Sequence, residues 1–129
     1  MKSVLLSIRP EYVRKILNGT KRYEFRRSIF KDRARVEKIY IYSTAPVKKI
    51  VASFCIDEII EDQPEELWNK CQFFSGIDKN AFFAYFKDKE KGFAIKIKNL
   101  DPFETPVDPK NVIPDFTPPQ SFRYVNIDL

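Results

Sequence analysis

The sequence predicts an α+β fold, and three observations carry that prediction. Six stretches alternate apolar with polar residues or are dense in Ile, Val, Tyr and Phe, the period-two pattern of strands. Three others place apolar residues three and four apart behind a proline or an aspartate, the pattern of short capped helices. The 129 residues, 43% hydrophobic and 15% aromatic, suffice for one core and not for two, so a single domain spanning 1–129 is expected.

In order, residues 4–8 alternate Val4, Leu6 and Ile8 with Leu5 and Ser7 and form the first strand. Pro10 suits a first helical turn, Glu11 complements its dipole, and Tyr12, Val13, Ile16 and Leu17 make an apolar stripe that Asn18-Gly19 terminates. Tyr23 to Arg26 read as a second strand, and residues 28–35 lack any period and read as a basic loop. Residues 36–43 and 50–59 are the strongest strands, separated by Ala45-Pro46 and paired as a hairpin-like unit. Pro64, Glu65 and Glu66 open a helix carrying Leu67, Trp68, Cys71 and Phe74. Asp78 caps another, whose Phe82, Tyr85 and Phe86 have the spacing of core packing. Phe93, Ile95 and Ile97 make a strand, the proline-rich segment 101–119 reads as an extended surface connection, and 122–127 add a last strand.

The densest chemistry lies in Gly19-Thr20-Lys21-Arg22-Tyr23-Glu24-Phe25-Arg26. In a strand alternate residues share a face, so Arg22, Glu24 and Arg26 are expected to point one way and Tyr23 and Phe25 into the core. A carboxylate between two guanidinium groups, with Lys21 at the turn, suits an anionic or hydrogen-bonding ligand.

This Gly-x-Lys-x-x-Glu-x-Arg spacing resembles the signature of the ASCH domain family, a branch of the PUA-like superfamily. Leu6-Ser7-Ile8-Arg9-Pro10, Ile39 to Thr44, Val51 to Ile56 and Gly92 to Ile97 extend the resemblance over most of the chain. It implies a small mixed β-barrel flanked by about three helices, a cleft near the motif, and a role in binding RNA during translation or its regulation. It also brings in hydrolases, among them amidohydrolases acting on acetylated cytidine and proteins described as ribonucleases. In the amidohydrolase branch a lysine matching Lys21 works beside a threonine three positions on. This chain has Glu24 there, which removes that nucleophile.

Composition narrows the chemistry. There is no histidine, which removes every imidazole-based mechanism and the commonest zinc ligand, and Cys55 and Cys71 have no metal-ligand spacing. No metal or other cofactor is expected. Asp57, Glu58, Glu61 and Asp62 are too loosely spaced for a firm cation site, although Glu58 or Glu61 could serve Lys21 as an acid. No run of about 20 apolar residues is present and 4–8 is too short for a signal-peptide core, so a cytoplasmic location without membrane contact is expected. The net charge of +5 is concentrated: residues 14–38 hold ten Lys and Arg against Glu24, Asp32 and Glu37, whereas 100 onward holds Lys110 and Arg123 against five acids. A one-sided basic surface fits RNA or a nucleotide-like ligand.

The expected ligand-binding set is therefore Arg9, Lys21, Arg22, Glu24, Arg26, Arg33, Arg35, Tyr40, Tyr42, Ser43, Thr44 and Arg123. Glu24 would accept from the amino group of cytosine or adenine, Lys21 and Arg26 would hold phosphate, and Tyr40 and Tyr42, on an exposed strand face, would stack a base. The run 119–124 is placed to close over the site. A nucleic-acid-binding regulatory domain accounts for most of these residues. The alternatives are a hydrolase using Lys21 and Glu24 as its catalytic pair, on a modified nucleoside or RNA, and a protein-interaction module.

Overall fold

The structure, a computed structural model, describes residues 2–129. Its elements are β1 (Lys2–Ile8), α1 (Pro10–Leu17), β2 (Tyr23–Arg26), β3 (Val36–Ser43), β4 (Lys49–Asp62), α2 (Pro64–Cys71), α3 (Lys79–Tyr85), β5 (Gly92–Val107) and β6 (Phe122–Val125). The six strands form one mixed sheet in the order β2-β5-β4-β3-β1-β6. Only β1 and β3 run parallel; the other pairs, including the expected β3–β4 hairpin, are antiparallel.

Alternation along these strands sorts side chains to two faces. Val4, Leu6 and Ile8 of β1 and Ile39 and Ile41 of β3 join Val13 and Ile16 of α1, Phe54 and Ile95 in the inner core. Leu5, Tyr40, Tyr42 and Ile50 face outward against Ile113, Phe103 and Phe116. At the other end of the outer face, Phe25 and Ala94 meet Leu67, Cys71, Phe82 and Phe86 from α2 and α3. The aromatic stripe of α3 is thus core, with Phe82 fully buried and edge-on to Phe25 at 5.0 Å. Asp78 caps α3 by accepting from the Ala81 amide at 2.9 Å.

Two differences from the sequence reading matter. The proline-rich stretch does not leave the sheet at residue 101: β5 continues through Pro102 and Pro106 to Val107, with Pro102 opposite Ala52 and Val107 opposite Ile50. Its other neighbour, β2, pairs only with Phe93 to Lys96. Beyond that point β5 has a free side, where a residue without an N–H breaks no ladder bond. The remainder, 108–119, is a cover rather than a solvated connection, since Ile113 is buried and Phe116 packs on Tyr42 at 5.3 Å. The basic loop 28–35 is likewise anchored, by a fully buried Phe30.

The barrel-like form is a curled sheet. No ladder joins the edge strands β2 and β6 among the described residues; side chains do. Arg26 of β2 donates through Nη2 to the Ser121 carbonyl at 2.7 Å, the Phe30 ring meets Phe122 at 5.6 Å, and the Asp32 amide donates to the Tyr124 hydroxyl at 3.3 Å. No helix among the described residues is long and apolar enough to cross a membrane.

Candidate functional site

The seam between β2 and β6 is where the chain's chemistry gathers. Gly19, at φ +86°, ends α1 in a conformation that costs glycine little, and the Asn18 side chain accepts from the Thr20 amide and hydroxyl at 3.0 and 2.7 Å. The Lys21 amide donates back to the Lys15 carbonyl at 3.0 Å. This turn sets the phase of β2. Glu24 pairs with Ile95 and Phe25 with Ala94, and directly opposed residues share a face. Glu24 therefore faces inward with Ile95, and Phe25 faces α2 and α3.

Glu24 is 6% exposed. Its Oε2 accepts from Arg26 Nη1 at 3.3 Å, a pair whose side chains are about one-tenth exposed. Arg26 uses Nη2 on Ser121, while its buried Nε has no hydrogen-bond partner in the protein. An unmatched buried donor costs about 1–3 kcal/mol. The guanidinium thus carries an unused N–H in a low-dielectric pocket, which an anionic oxygen would satisfy.

Lys21 is 3% exposed. Its Nζ donates to the Ser75 carbonyl at 2.7 Å and lies 4.8 Å from the Phe25 ring centroid and 5.3 Å from that of Tyr12. Burial lowers its pKa from 10.5 to about 8; the Glu24 charge opposes this, Lys15 adds to it, and Cys71 opposes it. Lys21 is cationic at neutral pH, with far less margin than a surface lysine. Burial also raises the Tyr12 pKa, with Glu11, Asp78 and Glu24 pushing the same way against Arg9, so its hydroxyl stays protonated at neutral pH.

The loop that grips Lys21 leaves no room for a side chain. A Cβ at Gly76 would sit 2.4 Å from Lys21 Cβ, and its φ is +64°. Gly76→Ala is expected to destabilise the fold by about 2–4 kcal/mol, overpacking adding to left-handed backbone strain. A urea midpoint equal to that of wild type would show that the loop does not clasp Lys21.

Other expected site residues lie elsewhere. Arg22 points away from Glu24: its guanidinium stacks 4.2 Å from the Phe74 centroid, so Glu24 is not held between two arginines. Tyr40 and Tyr42 are 1% and 2% exposed and cannot be an open stacking face; the segment 103–129 covers them, and the Tyr40 hydroxyl bonds to Ile127 and Leu129. Arg33 pairs with Glu61 at 3.5 Å, and exposed Arg35 shares its turn. Arg123 lies opposite Leu5, on the outer face. Arg9 precedes α1, its carbonyl accepting from Tyr12 and Val13, while the Thr44 amide donates to Ile8 and Ser43 is buried opposite it. No hydrogen bond joins Arg9, Ser43 or Thr44 to the seam among the described residues.

Three of the four acids of β4, all but Glu58, form ion pairs. Asp57 pairs with Lys96 at 3.6 Å, Glu61 also with Lys91 at 3.6 Å, and Asp62 with Lys70 at 2.9 Å. No group of three potential ligands for a metal occurs among the described residues. Two surface depressions lie away from the motif: one of about 600 Å³ between Pro64, Phe86 and the loop 87–91, and one of about 420 Å³ from Arg27 to that loop. At the seam itself the Ser121 carbonyl lies against the Arg26 guanidinium.

Sequence reasoning missed Tyr12, read only as part of an apolar stripe, together with Ser75 and Gly76, and placed Ser121 only within the closing run 119–124. The last three act through backbone atoms or bare space, which leave no mark in a sequence beyond the rarity of glycine, of which the chain has 3.

Comparison with known proteins places this geometry in context. The ASCH domain model matches residues 6–104. An ASCH domain-containing ribonuclease of Zymomonas mobilis is 28% identical over 127 residues, covering 96% of this chain and 84% of that protein. A large ribosomal subunit protein uL22 of Ureaplasma parvum is 28% identical over 74 residues, 57% of this chain but only 24% of the relative. The crystal structure of the ASCH protein from Zymomonas mobilis superposes with a TM-score of 0.87 at 27% identity, covering 97% of this chain and 88% of the other.

Proposed function

The chain belongs to the ASCH domain family, and from that premise we propose that it binds single-stranded RNA at the β2–β6 seam and cleaves it without a metal. The observation that carries this reading is the buried Glu24–Arg26 pair with its unused Nε donor, in a chain similar over nearly its whole length to a protein called a ribonuclease. RNA supplies its own nucleophile, so a histidine-free site needs only a base, an acid and a cation. Glu24 takes the proton of the 2′-hydroxyl, whose oxygen attacks the adjacent phosphorus. Arg26 donates to the phosphoryl oxygens, exchanging the Ser121 carbonyl for the ligand as 119–121 yield. The departing 5′ oxygen takes the Tyr12 proton, leaving a 2′,3′-cyclic phosphate. Lys21 does not touch substrate; its buried charge favours the anionic ligand and holds the loop 72–77 in place.

The test is incubation of end-labelled single-stranded RNA with excess chelator, read on a denaturing gel beside the same strand carrying 2′-deoxy sugars. Cleavage of the RNA alone is expected, and Tyr12→Phe should slow it. Binding without any cut would reduce the protein to an RNA reader. In the same samples, affinity should fall with salt by about 0.7 in logarithmic slope per phosphate contacted, so three contacts give a slope of about 2. A slope near zero would remove the basic surface from the account.

A further inference from the structure

Beside the seam, the fold holds two rings in water at a cost. Phe73 is 85% exposed and Phe74 41%, in the short turn Gln72–Phe74. A ring left in solvent forfeits the hydrophobic gain that the other phenylalanines collect, and such rings mark contact sites when they cluster. Phe74 is fixed to the motif turn: its carbonyl accepts from the Arg22 amide at 2.8 Å and its ring carries the Arg22 guanidinium at 4.2 Å. Lys15 reaches across to the Gly76 carbonyl at 3.1 Å.

The charge nearest the rings leans positive. Segments 12–23 and 67–77, which meet at this patch, contain Arg14, Lys15, Lys21, Arg22 and Lys70, and the carboxylates Glu11, Glu24, Glu66 and Asp78 lie just beyond their ends. Lys70 is paired with Asp62 and Lys21 is buried, leaving Arg14, Lys15 and Arg22 on the surface. Protein interfaces put charge-poor apolar area at their centre. Two rings among three cations that form no ion pair among the described residues instead match a base flanked by its phosphates, and only an unpaired base offers a free face to a projecting ring.

We propose that Phe73, flanked by Phe74 and Arg22, stacks an unpaired base of single-stranded RNA and extends the strand path beyond the Glu24–Arg26 seam. This rests on the reading that the seam binds RNA. Fluorescence anisotropy with a labelled decauridylate tests it on wild type, Phe73→Ala, Phe73→Trp and Arg22→Ala. Phe73→Ala should weaken binding about tenfold at an unchanged salt slope, since a stacking contact and no phosphate contact is lost. Arg22→Ala should reduce the slope by about 0.7. Phe73→Trp should bind as wild type does and show indole quenching on binding, above the response of Trp68 measured in wild type. Phe73 is too exposed for its loss to unfold the protein, which an unchanged thermal midpoint verifies. Wild-type affinity in Phe73→Ala, with cleavage intact, would overturn the stacking site alone. Failure of wild type to bind any single strand would take the seam reading down as well. A wild-type dimer that Phe73→Ala dissolves in sedimentation would overturn the proposal in favour of a contact between copies.

Discussion

Glu24→Gln is expected to slow RNA cleavage by about 10²–10⁴-fold while leaving RNA affinity within a few-fold of wild type, because it removes one proton acceptor and little else. The amide is the same size as the carboxylate, and its oxygen can still accept from Arg26 Nη1 at the 3.3 Å position. The fold should therefore survive with a loss on the order of 1 kcal/mol. Single-turnover rates with saturating protein separate chemistry from binding. Arg26→Gln provides the contrast: it leaves the Ser121 carbonyl without its partner at the edge of the sheet, so it should lower both affinity and stability. Full-rate cleavage by Glu24→Gln would remove Glu24 from the chemistry, and the base would have to be sought elsewhere.

The elements were legible because each depends on local signals. Pro10 and Asn18-Gly19 bracket α1, and 36–43 coincides with β3 residue for residue. Strand ends past the obvious pattern were not. β4 and β5 run on to Asp62 and Val107 because they pair with each other, Asp62 opposite Gly92 and Ile50 opposite Val107, and pairing between residues so far apart in sequence is invisible to periodicity. The same limit governs the site. Period two correctly put Glu24 and Arg26 on one side of β2, but it cannot say whether that side meets water or the interior of a curled sheet. The curl buries it. Tyr40 and Tyr42 failed for the converse reason: a strand face reads as exposed until a remote segment, here 103–129, is known to lie on it. Arg22 obeyed its own neighbour, Phe74, rather than the alternation of the strand it precedes.

Lys21→Met isolates what a buried ammonium costs this fold, and the sign follows from its pKa. In the folded chain it titrates near 8, against 10.5 for an unperturbed lysine, so above pH 8 the unfolded chain holds a proton that the folded chain has released. Stability from this group therefore rises with pH between about 8 and 10.5, and the penalty stands in full below pH 8. At 1.36 kcal/mol per unit the window spans on the order of 3 kcal/mol. Methionine has a similar shape and no charge, so it should fill the space against Phe25 and Tyr12 without that penalty, though it strands the Ser75 carbonyl. Urea unfolding of both proteins at pH 7, 8.5 and 10 should show wild type gaining on Lys21→Met as pH rises; taking the difference cancels the titration of Tyr12 and Cys71, apart from their direct coupling to Lys21. A pH-independent gap would mean that Lys21 keeps an ordinary pKa and that burial is not what sets it. The gain at high pH should be accompanied by weaker RNA binding, because the charge whose burial costs stability at neutral pH is the same charge that makes the seam attractive to phosphate. That opposition is the physical reason to keep a lysine where an apolar side chain would fold better.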